Sequence, residues 1–446
     1  MAGNPGTFGN NGEENAMTSS KATRRRILAT GAALAATTSL GLGIGRAAAQ
    51  PGRAAGPAQG PIDGALRRAV AAQEVPGVVA MAANDRGILY EGAFGTRDLA
   101  KGPEMTPDTI FRLASMTKAV TSVAAMQLVE QGRLDLDQSI GNVLPELAAP
   151  QVLDGFDDAG APRLRPAKRP ITLRHLLTHT AGFGYEIWDQ ALVRYVKATG
   201  MPSAFAGKLA GLRQPLVFDP GERWEYGINL DWVGRAVEAA SGQPLEVYFR
   251  QHIFAPLGMA DTDYVMSSAQ QERLVSVHQR QPDGSLAPIA AGDPPWREFW
   301  SGGGGLNSTA RDYMAFLQML LHQGRFNNAQ LLRPKTVAMM NQNQIGDIAA
   351  GILKTAMPQR SNDVDFFPGM PCRWGLGYMI TTQTGPNGRS PGSLTWAGIF
   401  NTYYWLDPQK RIAGVYLTQV LPFADGRAVR VYGEFEKGVY GSLRTA

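Results

Sequence analysis

Cysteine occurs once in the 446-residue chain, at Cys372. A single thiol excludes an intramolecular disulfide and any thiolate zinc cluster. Its surroundings, GMPCRWGLGY, hold no histidine, so it reads as a buried or half-buried thiol. Excess charge is scarce too. The formal net charge is +5, and residues 1–49 alone hold five Lys/Arg against two Glu. The rest is close to balanced and carries no Lys/Arg stripe, which argues against a nucleic-acid partner. After residue 50 no stretch is long and apolar enough to cross a membrane. There is no internal repeat. What remains, 44% hydrophobic and 18% charged residues, is ordinary for a globular protein with a sizeable core.

The N-terminus is informative. Residues 23–50 read TRRRILATGAALAATTSLGLGIGRAAAQ. A twin-arginine start, an Ala/Gly/Leu middle and the small-residue end Ala47-Ala48-Ala49 form the pattern of a Tat-type export signal over residues 1–49, with cleavage near Ala49. The 19 residues between Arg26 and Arg46 approach the length of a membrane span. Their Gly, Ala and Thr content and the cleavage-like end favour the signal. The expected location is periplasmic or secreted, with no stable membrane span after signal removal. Residues 50–61, QPGRAAGPAQGP, read as a linker.

Downstream, a helix is expected over 62–73, then two β-rich runs joined by Asp85-Arg86-Gly87 as a hairpin. The segment LASMTKAVTSVAAM opens a buried helix that ends at Gly132. Short helices follow at 172–182, 229–242 and 245–258. SGGGGLNSTARDYMAFLQMLL is a glycine turn feeding a helix, with Thr309 and Asp312 spaced as a capping box. After residue 370 the pattern becomes β: WGLGYMIT, SLTWAGI, then NTYYWLD and RIAGVYLTQV across an Asp407–Lys410 turn, before a closing helix. The expected fold class is α+β. Residues 62–132 and 291–446 would share a central antiparallel sheet flanked by helices, and 133–290 would be a mainly helical insertion.

Three features invite a catalytic reading. Ser115 and Lys118 are i, i+3 neighbours on one helix face. Burial lowers a lysine pKa, and a lysine near ~7–8 can serve as a base and activate a serine without histidine. The same spacing suits a capping serine beside a lysine that reaches solvent. Tyr226 precedes an amphipathic helix; set against a lysine cation it would have a lowered pKa and shuttle protons, or it simply packs. Gly398 interrupts a strand, which marks close approach of a backbone or ligand, or a bulge.

Taken in order, LASMTK, LLTHTAG, FDPGERWEYG, PLGM, GGGGLNSTARD and LTWAGIFNTYYWLDP resemble the landmarks of the serine β-lactamase-like superfamily over residues 62–440. Class C β-lactamases, DD-peptidases and family VIII carboxylesterases belong there. The resemblance implies Ser115 as acylated nucleophile, Lys118 as its proton acceptor and Tyr226 as partner acid/base. It implies an oxyanion hole from the backbone N–H groups of Ser115 and Ile399, and no metal or organic cofactor. Two departures point to esters. Trp396 stands where β-lactamases and DD-peptidases usually carry Lys or His. Ile228 stands where their tyrosine motif has Asn, with Asn229 one step later. Trp396, Gly398, Tyr185 and Ile228 are therefore the expected substrate-binding residues. Trp188, Phe218, Trp224, Trp300 and Phe400 are further candidates for an apolar pocket. The implied activity is an exported serine carboxylesterase acting on a small-molecule ester. A β-lactamase or DD-peptidase, an acyltransferase and a non-catalytic ligand-binding or sensor protein remain as alternatives, and the intact residue set argues against the last. The oligomeric state is not legible.

Two rival patterns fail on context. Gly-x-Ser-x-Gly around Ser390 needs a strand before it, a helix after it and a histidine downstream. The residues around it read as loop, and the last histidine is His322. His175 and His179 are spaced i, i+4 but lack the glutamate of a metal-binding H-E-x-x-H, so both read as structural.

Overall fold

Strands from the two ends of the chain meet in one antiparallel sheet. A computed structural model describes residues 59–290 and 297–443; the export signal and linker residues 50–58 lie outside them. Seven strands form the main sheet: β1 (Gly77–Asn84), β2 (Gly87–Gly95), β3 (Arg373–Trp374), β4 (Met379–Ile380), β5 (Leu394–Gly398), β6 (Thr402–Asp407) and β7 (Ile412–Leu417). Their spatial order is β3-β4-β5-β6-β7-β1-β2. The hairpin β1–β2 carries a register shift at Ala82/Ala83. β6 and β7 are buried at every position, so the centre of the sheet is covered on both faces, as its continuous apolar sequence demands.

Helices α1 (Gln59–Ala71) and α5 (Gly426–Ser442) pack together at the sheet, α1 over β2 and α5 over β7. Between them in sequence lie α2 (Thr117–Glu130), α3 (Asn229–Ser241) and α4 (Ala310–Leu321). α4 packs on β7 and β1, and α2 packs against α3. α2 is buried from Thr117 through Leu128, with Val120, Val123, Met126 and Leu128 among its apolar side chains. Each such side chain contributes about 1.5–3 kcal/mol by leaving water. A helix so enclosed can seat a charged side chain only where polar partners await it.

Several local expectations are corrected. α1 starts at Gln59, so residues 59–61 are helix and not linker. The helix after the glycine turn has half a capping box. Thr309 accepts from the Asp312 N–H, but the Asp312 carboxylate accepts from Asp261 N and the Thr262 hydroxyl. WGLGYMIT is two strands, because Gly377 adopts φ +117° and turns the chain between them. Residues 133–290 hold short strands beside their helices. They contain the ribbon Gln151–Phe156/Pro162–Pro166 and the strand Val277–Arg280, which pairs in parallel with Val420–Leu421. They pack into the rest of the described residues through α3, which lies against α2.

Candidate active site

Ser115 sits in a single 3-10 turn, Ala114–Met116, that runs directly into α2. Ala114 has φ +46°, a left-handed conformation that costs a non-glycine residue ~1–3 kcal/mol. The surrounding hydrogen bonds hold it. Leu113 N donates to Leu306 O at 2.9 Å, and Met116 N to Leu113 O at 3.1 Å. The turn leaves Ser115 half-buried at a cavity of about 270 Å³.

Lys118, one turn on, is buried. Its Nζ lies 3.1 Å from Ser115 Oγ, 3.3 Å from the Tyr185 hydroxyl and 2.7 Å from Gly303 O. It also faces the Tyr226 ring, 4.7 Å from the centroid. Desolvation pushes the ammonium pKa down to about 7, against the opposing field of Asp231. At neutral pH a large fraction is therefore the free amine, able to take the serine proton.

Tyr226 is held by a loop hung on His179. Glu225 N donates to His179 O at 2.9 Å, and Gly227 N reaches His179 Nδ1 at 3.4 Å. Asn229 Nδ2 lies 3.0 Å from the same Nδ1. With Nδ1 as acceptor, the imidazole is neutral, and burial pushes its pKa well down. His175 instead completes a capping box with Thr172. The structure thus gives the two histidines separate packing roles.

The Tyr226 hydroxyl accepts from the Trp396 indole N–H at 3.0 Å and has Ser115 as a second partner. Burial raises its pKa despite these bonds, which corrects the expectation of a lowered one. Desolvation outweighs the hydrogen bonds that act in the other direction. Tyr226 is a protonated phenol at neutral pH, suited to passing a proton and not to standing as a phenolate.

Gly398 ends β5 against the turn that carries Ser115. A Cβ there would overlap Leu113 O and the Thr402 hydroxyl. This close approach brings Ile399 to the cavity wall beside Ser115. Neither the Ser115 nor the Ile399 N–H takes a backbone partner among the described residues, so both are available to an oxyanion. Gly398→Ala is expected to push β5 away and lower kcat by ~10²–10³-fold, the cost of one lost oxyanion donor. KM should change less. Parallel steady-state constants for the two proteins check this.

The structure places the expected substrate-binding residues at different depths. Tyr185 lines the cavity, but its hydroxyl bridges Lys118 and, at 3.5 Å, Asp231 Oδ2. Trp396, Gly398 and Ile228 are buried behind the reacting groups and do not line it. The indole of Trp396 is turned to Tyr226, and Ile228 closes the start of α3. Trp188 and Phe400 line the cavity, whereas Phe218, Trp224 and Trp300 do not. Phe205, Phe299, Met266 and Ile187 complete its apolar wall.

Asp231 is the functional side chain that the sequence reading missed. It is buried on α3 and accepts from the Ser301 hydroxyl and, at 3.1 Å, from Gly303 N. Gly303 therefore has its carbonyl on Lys118 and its N–H on Asp231. A Cβ there would stand 2.7 Å from Asp231 Oδ2 and 2.9 Å from the Tyr185 hydroxyl, so glycine is required by the approach. The signal was present in NLDWVG, where an acid falls between Leu230 and Trp232 on a helix that must bury one face. Because Asp231 favours the ammonium, Asp231→Asn is expected to lower the Lys118 pKa. Activity that needs the free amine rises as pH passes upward through about 7. In the variant this acid limb moves to lower pH. A kcat/KM profile over pH 5–9 checks the direction; a limb that stays or moves up contradicts it.

Ser390 lies in a loop, with its N–H on Asp407 Oδ2 at 2.9 Å. No strand–helix elbow surrounds it. Cys372 is buried and its thiol is pushed up to about 11 by desolvation. No cluster of ligands for a metal ion occurs among the described residues.

A strained nucleophile turn, a buried lysine, a tyrosine and two free N–H groups define a serine enzyme of the acyl-transfer class. The beta-lactamase family model matches residues 62–437, and the chain belongs to that family. It is 35% identical over 400 residues to the monacolin J acid methylbutanoyltransferase of Aspergillus terreus, covering 85% of this chain and 95% of that one. It is 32% identical over 379 residues to the lovastatin esterase of Penicillium rubens, covering 82% and 94%. Unliganded simvastatin synthase from Aspergillus terreus superposes with TM-score 0.76 at 33% identity, covering 86% of this chain and 98% of that one.

Proposed function

We propose that this protein is a serine carboxylesterase that works through an acyl-enzyme on Ser115. One observation carries the reading: the serine hydroxyl lies 3.1 Å from a buried amine whose pKa is about 7, at the wall of a mainly apolar cavity. Ser115 Oγ attacks the ester carbonyl and its proton passes to Lys118 Nζ. The new oxyanion rests on the Ser115 and Ile399 N–H groups. Tyr226 delivers its proton to the departing alkoxide and takes up the one held on Lys118, so an alcohol leaves, the acyl group stays on Oγ and both groups regain their starting protonation. Water then attacks the acyl carbon, gives its proton back through the same groups, and the acid departs. The twin-arginine N-terminus supports export of the enzyme to the periplasm or beyond.

A second reading shares every step but the last. The relatives named as acyltransferases support an alcohol in place of water as acceptor. The β-lactam alternative is weakened by Trp396, whose N–H is already given to Tyr226 and is turned away from the cavity. The test is a product balance with p-nitrophenyl butyrate, with and without a secondary alcohol, beside benzylpenicillin. Rapid p-nitrophenol release with butyrate as product supports the esterase. Butyryl transfer that outpaces hydrolysis moves the assignment to acyltransferase, and faster penicillin opening moves it to the β-lactamase branch.

A further inference from the structure

The half-buried arginines of this fold are mostly engaged, by carboxylates or, as at Arg97 and Arg373, by backbone carbonyls. Arg174 meets Asp137 at 2.7 Å, Arg280 meets Asp425 at 3.0 Å, and the fully buried Arg389 meets Glu436. Two arginines that line the cavity break this pattern. Arg360 and Arg297 have no carboxylate within ion-pair distance and give no side-chain hydrogen bond among the described residues. Arg297 stacks over the Trp300 ring at 5.5 Å.

The position of Arg360 is built. Its N–H donates to Met357 O at 2.9 Å, and its carbonyl accepts from Phe423 N at 3.0 Å. The next residue, Ser361, accepts from the Trp188 indole at 3.0 Å, and Trp188 is itself a wall of the cavity. The backbone is thus fixed while five N–H donors are left for something else. Desolvation lowers the Arg360 pKa, in keeping with a guanidinium held out of water without a partner. Arg112, also on the wall, is engaged by Val275 O at 3.3 Å. Among the described residues the one acid that lines the cavity, Asp231, is already held by Ser301 and Gly303. The cavity is therefore apolar in body with unspent positive charge. That combination is matched by an amphiphilic anion, since a guanidinium binds a planar carboxylate through two parallel hydrogen bonds.

We propose that the substrates are esters bearing a free carboxylate, and that Arg360, assisted by Arg297, anchors that carboxylate while Ser115 is acylated. The proposal rests on the serine-esterase reading and names its substrate class.

The test uses the full chain and two matched pairs. p-Nitrophenyl hydrogen glutarate against p-nitrophenyl pentanoate places the charge on the acyl side. 3-Carboxyphenyl acetate against phenyl acetate places it on the alcohol side. The readout is the ratio of kcat/KM, anionic over neutral. A charge-assisted contact predicts a ratio raised ~10–100-fold on one pair. Added salt should lower it, since screening at 0.1 M acts over ~10 Å. In Arg360→Gln the ratio should collapse toward one, and in Arg360→Lys it should fall part of the way. Loss of folded protein cancels in a ratio, so poor stability of a variant cannot imitate the result. A wild-type ratio near one on both pairs overturns the proposal, as does a raised ratio that Arg360→Gln leaves intact. Ser115→Ala with the neutral esters runs alongside. If that variant keeps its rate, the serine reading has failed instead.

Discussion

Ser115→Ala is expected to cut ester turnover by on the order of 10⁴–10⁶-fold, the range seen when a serine enzyme loses its nucleophile. Ser390, the rival serine of the sequence, does not stand ready to replace it. Ser390 is buried in a loop with its backbone on Asp407, and no histidine follows it in the chain. The fold should persist. Lys118 keeps Gly303 O and Tyr185 as partners when the hydroxyl is removed, so the stability change stays within about 1 kcal/mol, the net worth of a single hydrogen bond. Turnover of p-nitrophenyl butyrate and a urea midpoint separate the two quantities. A variant that stays folded and retains more than a tenth of its rate would contradict the assignment.

Lys118→Met is expected to act on both rate and stability. Loss of a positioned general base lowers kcat by ~10²–10⁴-fold. The same change leaves Gly303 O without its donor and Asp231 without the nearest opposing charge. A buried acceptor left unpaired costs ~1–3 kcal/mol. The figure stays modest because Asp231 keeps Ser301 and Gly303 as donors. Lys118→Met with Asp231→Asn should then recover part of the stability and none of the rate. Denaturation midpoints of the single and double variants test the first half, and their kcat values the second. Recovery of rate in the double variant would mean that Lys118 serves only to neutralise Asp231.

How much of this could be read from sequence depended on what kind of fact was needed. That Ser115, Lys118 and Tyr226 meet was legible because the motifs that carry them have a fixed spacing and order, and both are written in the chain. The helix around Ser115 also announced its burial through its composition. What a side chain points at was not legible. Trp396 looked like a pocket wall, yet its indole N–H is turned to Tyr226. Tyr185 looked apolar, yet its hydroxyl joins Lys118 to Asp231. Asp231 was passed over on its amphipathic helix, and the packing of α3 on α2 buries it. The central sheet followed from strands at both ends of the sequence. The hairpin at Gly377 and the half capping box at Thr309 needed coordinates. One is decided by a single backbone angle, and the other by competing donors 51 and 50 residues from Asp312 in sequence, at Asp261 and Thr262.

The central claim is that acyl groups pass through Ser115. The direct measurement is the mass of the protein quenched in acid during turnover of p-nitrophenyl butyrate, followed by peptide mapping. The account predicts a butyryl adduct on the peptide that contains Ser115, more abundant in Tyr226→Phe if deacylation slows, and absent in Ser115→Ala. An adduct mapped to Ser390, or undiminished turnover with no adduct in Ser115→Ala, would contradict it.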